Sequence, residues 1–243
     1  MAERLDFVKI TPRRVADIGC ATGDGIRELA RRYPGALPLA IDYARPMLNA
    51  VASRRSLLQR LAGRGPQAIN ADVRQLPLAS GSLDLAWSNL MLHWLDDPLP
   101  AFREMHRVLD VGGLLAFAMF GPDTLKELRA AGATGLRSFP DMHDVGDMLV
   151  AAGFGDPVMD MEMITFAYAS PRSLLRDQRL LGVRDGLLGA MDFRAARQVF
   201  RAWEGQRRDG RLPATFEIVF GHAWKPEPRM APDGRAIIQF RPR

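Results

Sequence analysis

The chain is poor in several residue types, and each shortage closes off a class of function. Cys20 is its single cysteine, so no internal disulfide can form and no cysteine framework for structural zinc is available. Its four histidines, His93, His106, His143 and His222, stand at no metal-ligand spacing, so no metal is expected. No apolar run approaches the roughly 18 residues that would span a bilayer. Met1 to Asp6 lacks the basic-then-apolar order of a secretory signal, and cytoplasmic placement is the expectation. Repeats and low-complexity tracts are missing too.

What is present is ordinary globular material: 243 residues, 47% hydrophobic and 25% charged, enough for one α/β domain over residues 1–243. The formal charge is +5 and the pI about 10.0. Such a balance can favour nucleic acid, a membrane surface or an acidic carrier protein. Apart from Lys9, Lys126 and Lys225 the basic residues are all arginine, and along the sequence they are scattered. The reading is therefore no dedicated basic patch and, with no base-stacking motif or nucleic-acid methyltransferase tetrad, no nucleic-acid partner.

Short apolar runs alternate with helical patterns. Val15 to Ile18, Leu37 to Ile41, Gln67 to Asn70, Ser82 to Trp87 and Leu114 to Phe120 read as strands. Between them Ile26 to Tyr33, Pro46 to Arg60 and Pro98 to Leu109 read as helices, with Gly112-Gly113 a turn. Alternation at this spacing means βαβ units and a parallel sheet. Further on, Asp123 to Ala131 and Asp144 to Ala152 are helical, Val158 to Tyr168 and Ala214 to Trp224 are strands, and Ala236 to Phe240 is a short edge strand. Ser170 to Arg208 reads as two helices broken near residues 182–189. The core is thus about 13–120, 144–168 and 212–224, and 122–142 and 170–210 are helical insertions over the strand ends.

In an open parallel sheet, ligands bind beyond the carboxyl ends of the strands, where strand order reverses. Asp17 with its glycine loop, Asp42, Asp72 and Ser88-Asn89 fall at four successive strand ends. The loop is Gly19-Cys20-Ala21-Thr22-Gly23, which is not the Gly-x-Gly-x-x-Gly dinucleotide fingerprint. Asp17 at the strand tip would repel a pyrophosphate and suits a cationic ligand such as the ammonium and sulfonium of S-adenosylmethionine. Asp42, with Tyr43 beside it, is spaced to take ribose hydroxyls. Asp72, next to Val73, is placed for an adenine amino group, with Met47 or Leu76 against the ring. Each Asp could instead be a helix cap.

Asp17-Ile18-Gly19-Cys20-Ala21-Thr22-Gly23, Asp42 and Ala71-Asp72-Val73 resemble the class I S-adenosylmethionine-dependent methyltransferases. That resemblance implies a Rossmann-like, mostly parallel sheet of seven strands, the last antiparallel, with S-adenosylmethionine as cofactor. Ala21 stands where that family usually has glycine, which is tolerable if its φ is negative. Three further blocks, 88–98, 120–129 and 212–218, resemble the malonyl-acyl-carrier-protein O-methyltransferases of biotin synthesis. These blocks also resemble a complex I assembly factor that hydroxylates an arginine. Leu175-Arg176-Asp177-Gln178 is closer to the former, with Gln178 a departure. Members of the first family carry a longer segment before the first strand, one that helps to close the cofactor site. The first strand here begins near residue 14, so either the chain is truncated or misassigned at its start or the closing segment is missing; weaker closure is then expected, and a cofactor-binding module without turnover is a further alternative.

The resemblance implies methyl transfer to the free carboxylate of a malonyl thioester on acyl carrier protein. That carboxylate is ionised at neutral pH, so no general base is needed. Arg176 and Arg129 are the candidate orienting cations, and His93 the candidate lining the transfer site. Phe139 and His143 are candidate substrate contacts, and Trp94 and Cys20 are assigned to packing.

Overall fold

A computed structural model of the chain describes residues 1–54, 65–180 and 192–228. The first strand, β1 (Arg14–Ile18), is buried along nearly its whole length, which is why its sequence is a continuous apolar run and not an alternation. The chain then forms α1 (Asp24–Arg32), β2 (Leu37–Asp42), α2 (Arg45–Ser53) and β3 (Gln67–Asn70). It crosses to the other side of β1 for β4 (Leu83–Asn89), α3 (Leu99–Val108) and β5 (Leu109–Phe120). The later elements are α4 (Lys126–Ala130), α5 (Met142–Ala152), β6 (Gly155–Tyr168), α6 (Pro171–Leu180), α7 (Phe193–Glu204) and β7 (Leu212–Trp224).

The seven strands form one sheet in the order β3-β2-β1-β4-β5-β7-β6. Pairings from β3 to β5 are parallel, and β7 lies antiparallel between β5 and β6. Strand order reverses between β1 and β4, so the carboxyl ends of β1, β2 and β4 border one crevice. α1 and α2 pack on one face through Ile26, Leu29, Leu48 and Val51, and α3 and α5 pack on the other through Phe102, Met105, Val145 and Leu149. A third cluster lies over the far ends of β5 and β7. In it Leu128 of α4, Leu174 of α6 and Val199 and Trp203 of α7 pack on Phe120, Ala214 and Phe216. Trp203 Nε1 donates to the Pro213 carbonyl at 2.9 Å, which fixes α7 against the start of β7.

Several sequence expectations need correction. Gly112-Gly113 is not a turn between elements. It is an irregularity inside β5, where Leu83 pairs with Leu109 but Leu85 pairs with Leu114. Its backbone is held by Lys225, whose carbonyl accepts from Gly112 N–H at 2.8 Å. α4 starts later than Asp123 because Leu125 has φ 56 and its N–H is committed to the Thr215 carbonyl at 2.6 Å. The continuation of the second helix to Arg60, the break at 182–189 and the strand at 236–240 lie outside the described residues.

Gly221 of β7 is a close approach: a Cβ there would overlap the Phe117 ring and sit 2.9 Å from Met159 Sδ. Gly221→Ala should therefore destabilise the fold by about 1–3 kcal/mol, the cost of overpacking a filled core. A urea midpoint equal to that of the parent chain would show that Phe117 yields freely.

Candidate functional site

The crevice at the strand ends is an open cleft of about 530 Å³, within the usual size for a small-molecule site. Its walls include Gly19 and Ala21 after β1, Asp42, Tyr43 and Met47 after β2, Asp72 and Val73 after β3, and Asn89 after β4. All eight are residues expected there from the sequence. Leu90, Met91, Trp94, Leu95 and Arg74 complete much of the lining.

Local backbone chemistry builds the floor. Gly19 and Cys20 both donate to the Ile41 carbonyl, at 2.8 and 3.0 Å, so the loop folds back over β2. Gly19 has φ 79, and a Cβ there would overlap the Met91 side chain. Asp42 ties the two strand ends together. Its Oδ2 accepts from Ala21 N–H and its Oδ1 from Ala44 N–H, each at 2.8 Å. The carboxylate is thereby oriented before any ligand arrives. Ala21 does not have the negative φ expected of it: φ is 44. The loop requires a left-handed residue there to turn its N–H onto Asp42, and alanine carries the steric cost.

Asp72 is less free than expected. Arg74 Nη2 lies 2.6 Å from its Oδ2 and Arg74 N–H donates to Oδ1 at 2.9 Å. These bonds hold its carboxyl below the usual carboxylate range. Tyr43 is an exposed rim residue.

Four of the predicted residues lie outside the cleft wall. Asp17 is buried beneath the first turn of α1 and accepts from Ile26 N–H. Gly25 permits this approach, since a Cβ on it would stand 2.5 Å from Asp17 Oδ2. Burial, with smaller contributions from Asp42 and Asp24, pushes the Asp17 carboxyl up to about 7. Cys20 packs in the core beside Ile26 and Leu48, and burial raises its thiol pKa. Gly23 caps α1 with φ 86 and borders a separate groove behind the loop. Ser88 is wholly buried on the other side of β4, while its neighbour Asn89 faces the cleft. Leu76 is likewise core.

His93 is on the 3-10 turn Leu92–Trp94 and is 1% exposed. Its ring lies 4.5 Å from Phe120, 5.7 Å from Trp94 and 6.2 Å from Phe139, centroid to centroid. Neither ring nitrogen has a hydrogen-bond partner among the described residues. Burial, then the nearby Arg137 charge, lowers its pKa to about 3, so it is a neutral imidazole. Trp94, assigned to packing, is 42% exposed and forms part of the cleft wall. Leu92 and His93 take the two inward positions of the short turn, which leaves Trp94 facing outward.

The two candidate cations are not in the cleft. Arg129 is exposed and folds back over the loop before its own helix, donating to the Pro122 carbonyl at 3.3 Å. Arg176 is on the solvent side of α6, whose inward positions belong to Leu174 and Gln178. Gln178 is 1% exposed, and its Oε1 lacks a partner among the described residues. His143 is exposed at the start of α5, where its N–H is capped by Asp141.

Residues 16–117 match the model of a family described as a methyltransferase domain. A malonyl-[acyl-carrier protein] O-methyltransferase from Gallionella capsiferriformans is 47% identical, over 98% of this chain and 86% of that protein. Among solved structures, the YcgJ protein of Bacillus subtilis superposes with a TM-score of 0.66 at 14% identity, covering 93% of this chain and 97% of that one. A phosphoethanolamine N-methyltransferase of Haemonchus contortus, bound to S-adenosylhomocysteine, gives 0.57 at 18% identity, over 92% and 52%. No helix among the described residues is long and apolar enough to cross a membrane.

Two outcomes follow from this geometry. Ala21→Gly should stabilise the chain by about 0.5–1 kcal/mol, because relief of about 1–2 kcal/mol of left-handed strain exceeds the unfolded-state entropy that glycine adds. A lower urea midpoint in that variant would contradict the strain. Asp17 has a folded pKa raised above its unfolded value, so the stability it contributes is full below about pH 4 and is lost as pH rises through about 7. Asp17→Asn should remove that loss, gaining on the parent chain by up to roughly 4 kcal/mol between pH 5 and 8. Parallel stability profiles for the two would show that Asp17 is not the titrating group.

Proposed function

This chain belongs to the malonyl-[acyl-carrier protein] O-methyltransferase family of S-adenosylmethionine-dependent methyltransferases, and from that premise we propose that it methylates the free carboxylate of malonyl-acyl-carrier protein, in the cytoplasm, for biotin synthesis. The observation that carries the reading is the oriented Asp42 carboxylate in a cleft of cofactor size at the strand-order reversal.

The residues present suit the cofactor. Asp42 retains lone pairs for ribose hydroxyls, since its two backbone bonds leave its outward acceptor positions open. Met47 and Val73 offer apolar contact for a base, and Asp72 an acceptor at the edge. Gly19 keeps the loop low enough for a ligand to lie against the backbone. When bound, S-adenosylmethionine supplies an electrophilic methyl on a sulfonium.

The remaining chemistry falls to the chain's own side chains. Malonyl carboxylate needs no proton removed, so a neutral histidine is no handicap. His93 can donate one N–H to the acceptor, meeting a need that the described protein leaves unmet. Phe120, Phe139 and Trp94 make its surroundings apolar and so exclude water. Rate then comes from alignment and desolvation.

Incubation with methyl-labelled S-adenosylmethionine and malonyl-carrier protein should place a base-labile methyl ester on the carrier. Bound cofactor with no transfer to the carrier would favour the binding module or the hydroxylase. Asp42→Ala should weaken cofactor binding by about 1.5–3 kcal/mol, the scale of hydrogen bonds to a charged group. Titration calorimetry giving an unaltered Kd would remove the ribose from Asp42.

A further inference from the structure

Arginine is the dominant cation of this chain, and many of the described arginines elsewhere are ion-paired: Arg32 with Asp6, Arg74 with Asp72, Arg107 with Glu104, Arg137 with Asp96. Two helices break that pattern. On α6, Arg172, Arg176 and Arg179 recur at helical spacing and are all exposed. On α7, Arg194, Arg197 and Arg201 do the same. None of the six has a carboxylate partner among the described residues. The acids on or beside these helices do not offset them: Asp192 caps α7 by accepting from Ala195 N–H at 2.8 Å, Glu204 takes Arg207, and Asp177 is half-buried toward Tyr168. Basic residues that look scattered along the sequence are thus gathered by the fold into two stripes that have no carboxylate partner among the described residues.

The stripes share a location. Leu174 on α6 and Val199 and Trp203 on α7 enter the same buried cluster, so the arginine sides of both helices face away from it. The end of α7 adjoins the start of α6, where Arg207 Nη1 donates to the Ala169 carbonyl at 3.2 Å. The cluster beneath contains Phe120 and Phe139, which are also two of the aromatic neighbours of His93. The cationic surface is therefore the outer side of a cap whose inner side packs on the aromatic residues around His93.

We infer that the arginine face of α6 and α7 is the docking surface for a carboxylate-rich face of the carrier protein that presents the malonyl thioester; this rests on the function proposed above. A substrate delivered on a protein needs a surface near the transfer site to hold that protein. Exposed guanidinium groups with no carboxylate partner among the described residues can form bidentate bonds with incoming carboxylates. Each exposed pair contributes little alone, but a field of one sign steers encounter and fixes orientation.

The test compares two substrates with the same thioester, malonyl-carrier protein and malonyl-pantetheine, the latter having neither protein nor phosphate. The full chain is assayed as parent, as Arg172→Glu/Arg179→Glu and as Arg197→Glu/Arg201→Glu, each checked for an unaltered melting profile. The second pair keeps the test decisive if the first does not fold. For the carrier substrate, KM should rise about ten-fold or more in the variants, and with salt in the parent, as for steered association. Rates on malonyl-pantetheine and cofactor Kd should stay within about two-fold, since rim charges act on encounter. Unchanged carrier KM in both variants, or an equal rise for both substrates, overturns the docking face alone. A parent chain active on malonyl-pantetheine but not on the carrier also overturns it. A labelled oligonucleotide bound by the parent and lost by the variants, while carrier KM holds, would reassign the face to nucleic acid. A parent chain inert on both substrates refutes the methylation reading, and the docking face with it.

Discussion

Two backbone N–H groups converging on one carboxylate, that of Asp42, set the geometry on which the rest of the site depends. One comes from the loop after β1 and the other from the entry to α2, so a single side chain fixes the spacing between two neighbouring strand ends. A charge-assisted bond is stronger than a neutral one, and two of them oblige the loop to adopt the conformation that supplies them. The left-handed Ala21 follows from that demand: its φ of 44 is what aims its N–H at Asp42. Strain at a non-glycine residue persists where surrounding structure over-determines it. Gly19 and Gly25 extend the same constraint, one letting the loop pass Met91 and the other letting α1 settle over Asp17.

Much of the fold was legible in the sequence because parallel strands buried on both faces must be continuously apolar, and turns between them must be polar or glycine-rich. β1 and β2 are within a residue of their expected limits for this reason, and the exposed edge strand β3 matches its expected limits without it. The site was legible where a residue's place in the cleft follows from strand position, as for Asp42 and Asn89. It was not legible where direction matters. Ser88 and Asn89 are adjacent, and only the pleat decides which one faces the cleft. Asp17 ends a strand as predicted, yet it accepts from Ile26 N–H instead of facing the cleft, because a helix start offers donors close by. Arg129 and Trp94 depart from their expected places for equally local reasons: the arginine reaches back to a carbonyl of the preceding loop, and a three-residue turn has no inward slot for a third large side chain.

Charge is partitioned across this molecule by the cost of desolvation. Most ionised side chains are at the surface, whereas two titratable groups left inside are driven toward neutrality, Asp17 by a raised pKa and His93 by a lowered one. The same burial that silences His93 as a base preserves it as a neutral hydrogen-bond donor. The arginines that would be costly inside are instead on the outer surface of α6 and α7, where hydration is retained.

That partition also bears on rate. When a carboxylate attacks a sulfonium, opposite charges are consumed on the way to the transition state. A cation buried beside the carboxylate would stabilise the starting anion more than the transition state, in which that charge is partly spent, and so would raise the barrier. A neutral donor loses less on the same path, because its bond to the oxygen depends less on full charge. An apolar chamber helps further, since it disfavours the separated ions relative to the neutralising transition state. The exposed positions of Arg129 and Arg176, which the sequence suggested as orienting cations, and the neutral, aromatic-enclosed His93 are therefore better suited to carboxylate methylation than the expected arrangement was. Arginine remains useful to such an enzyme at a distance, where it can attract the body of a substrate without holding the reacting group in its charged state.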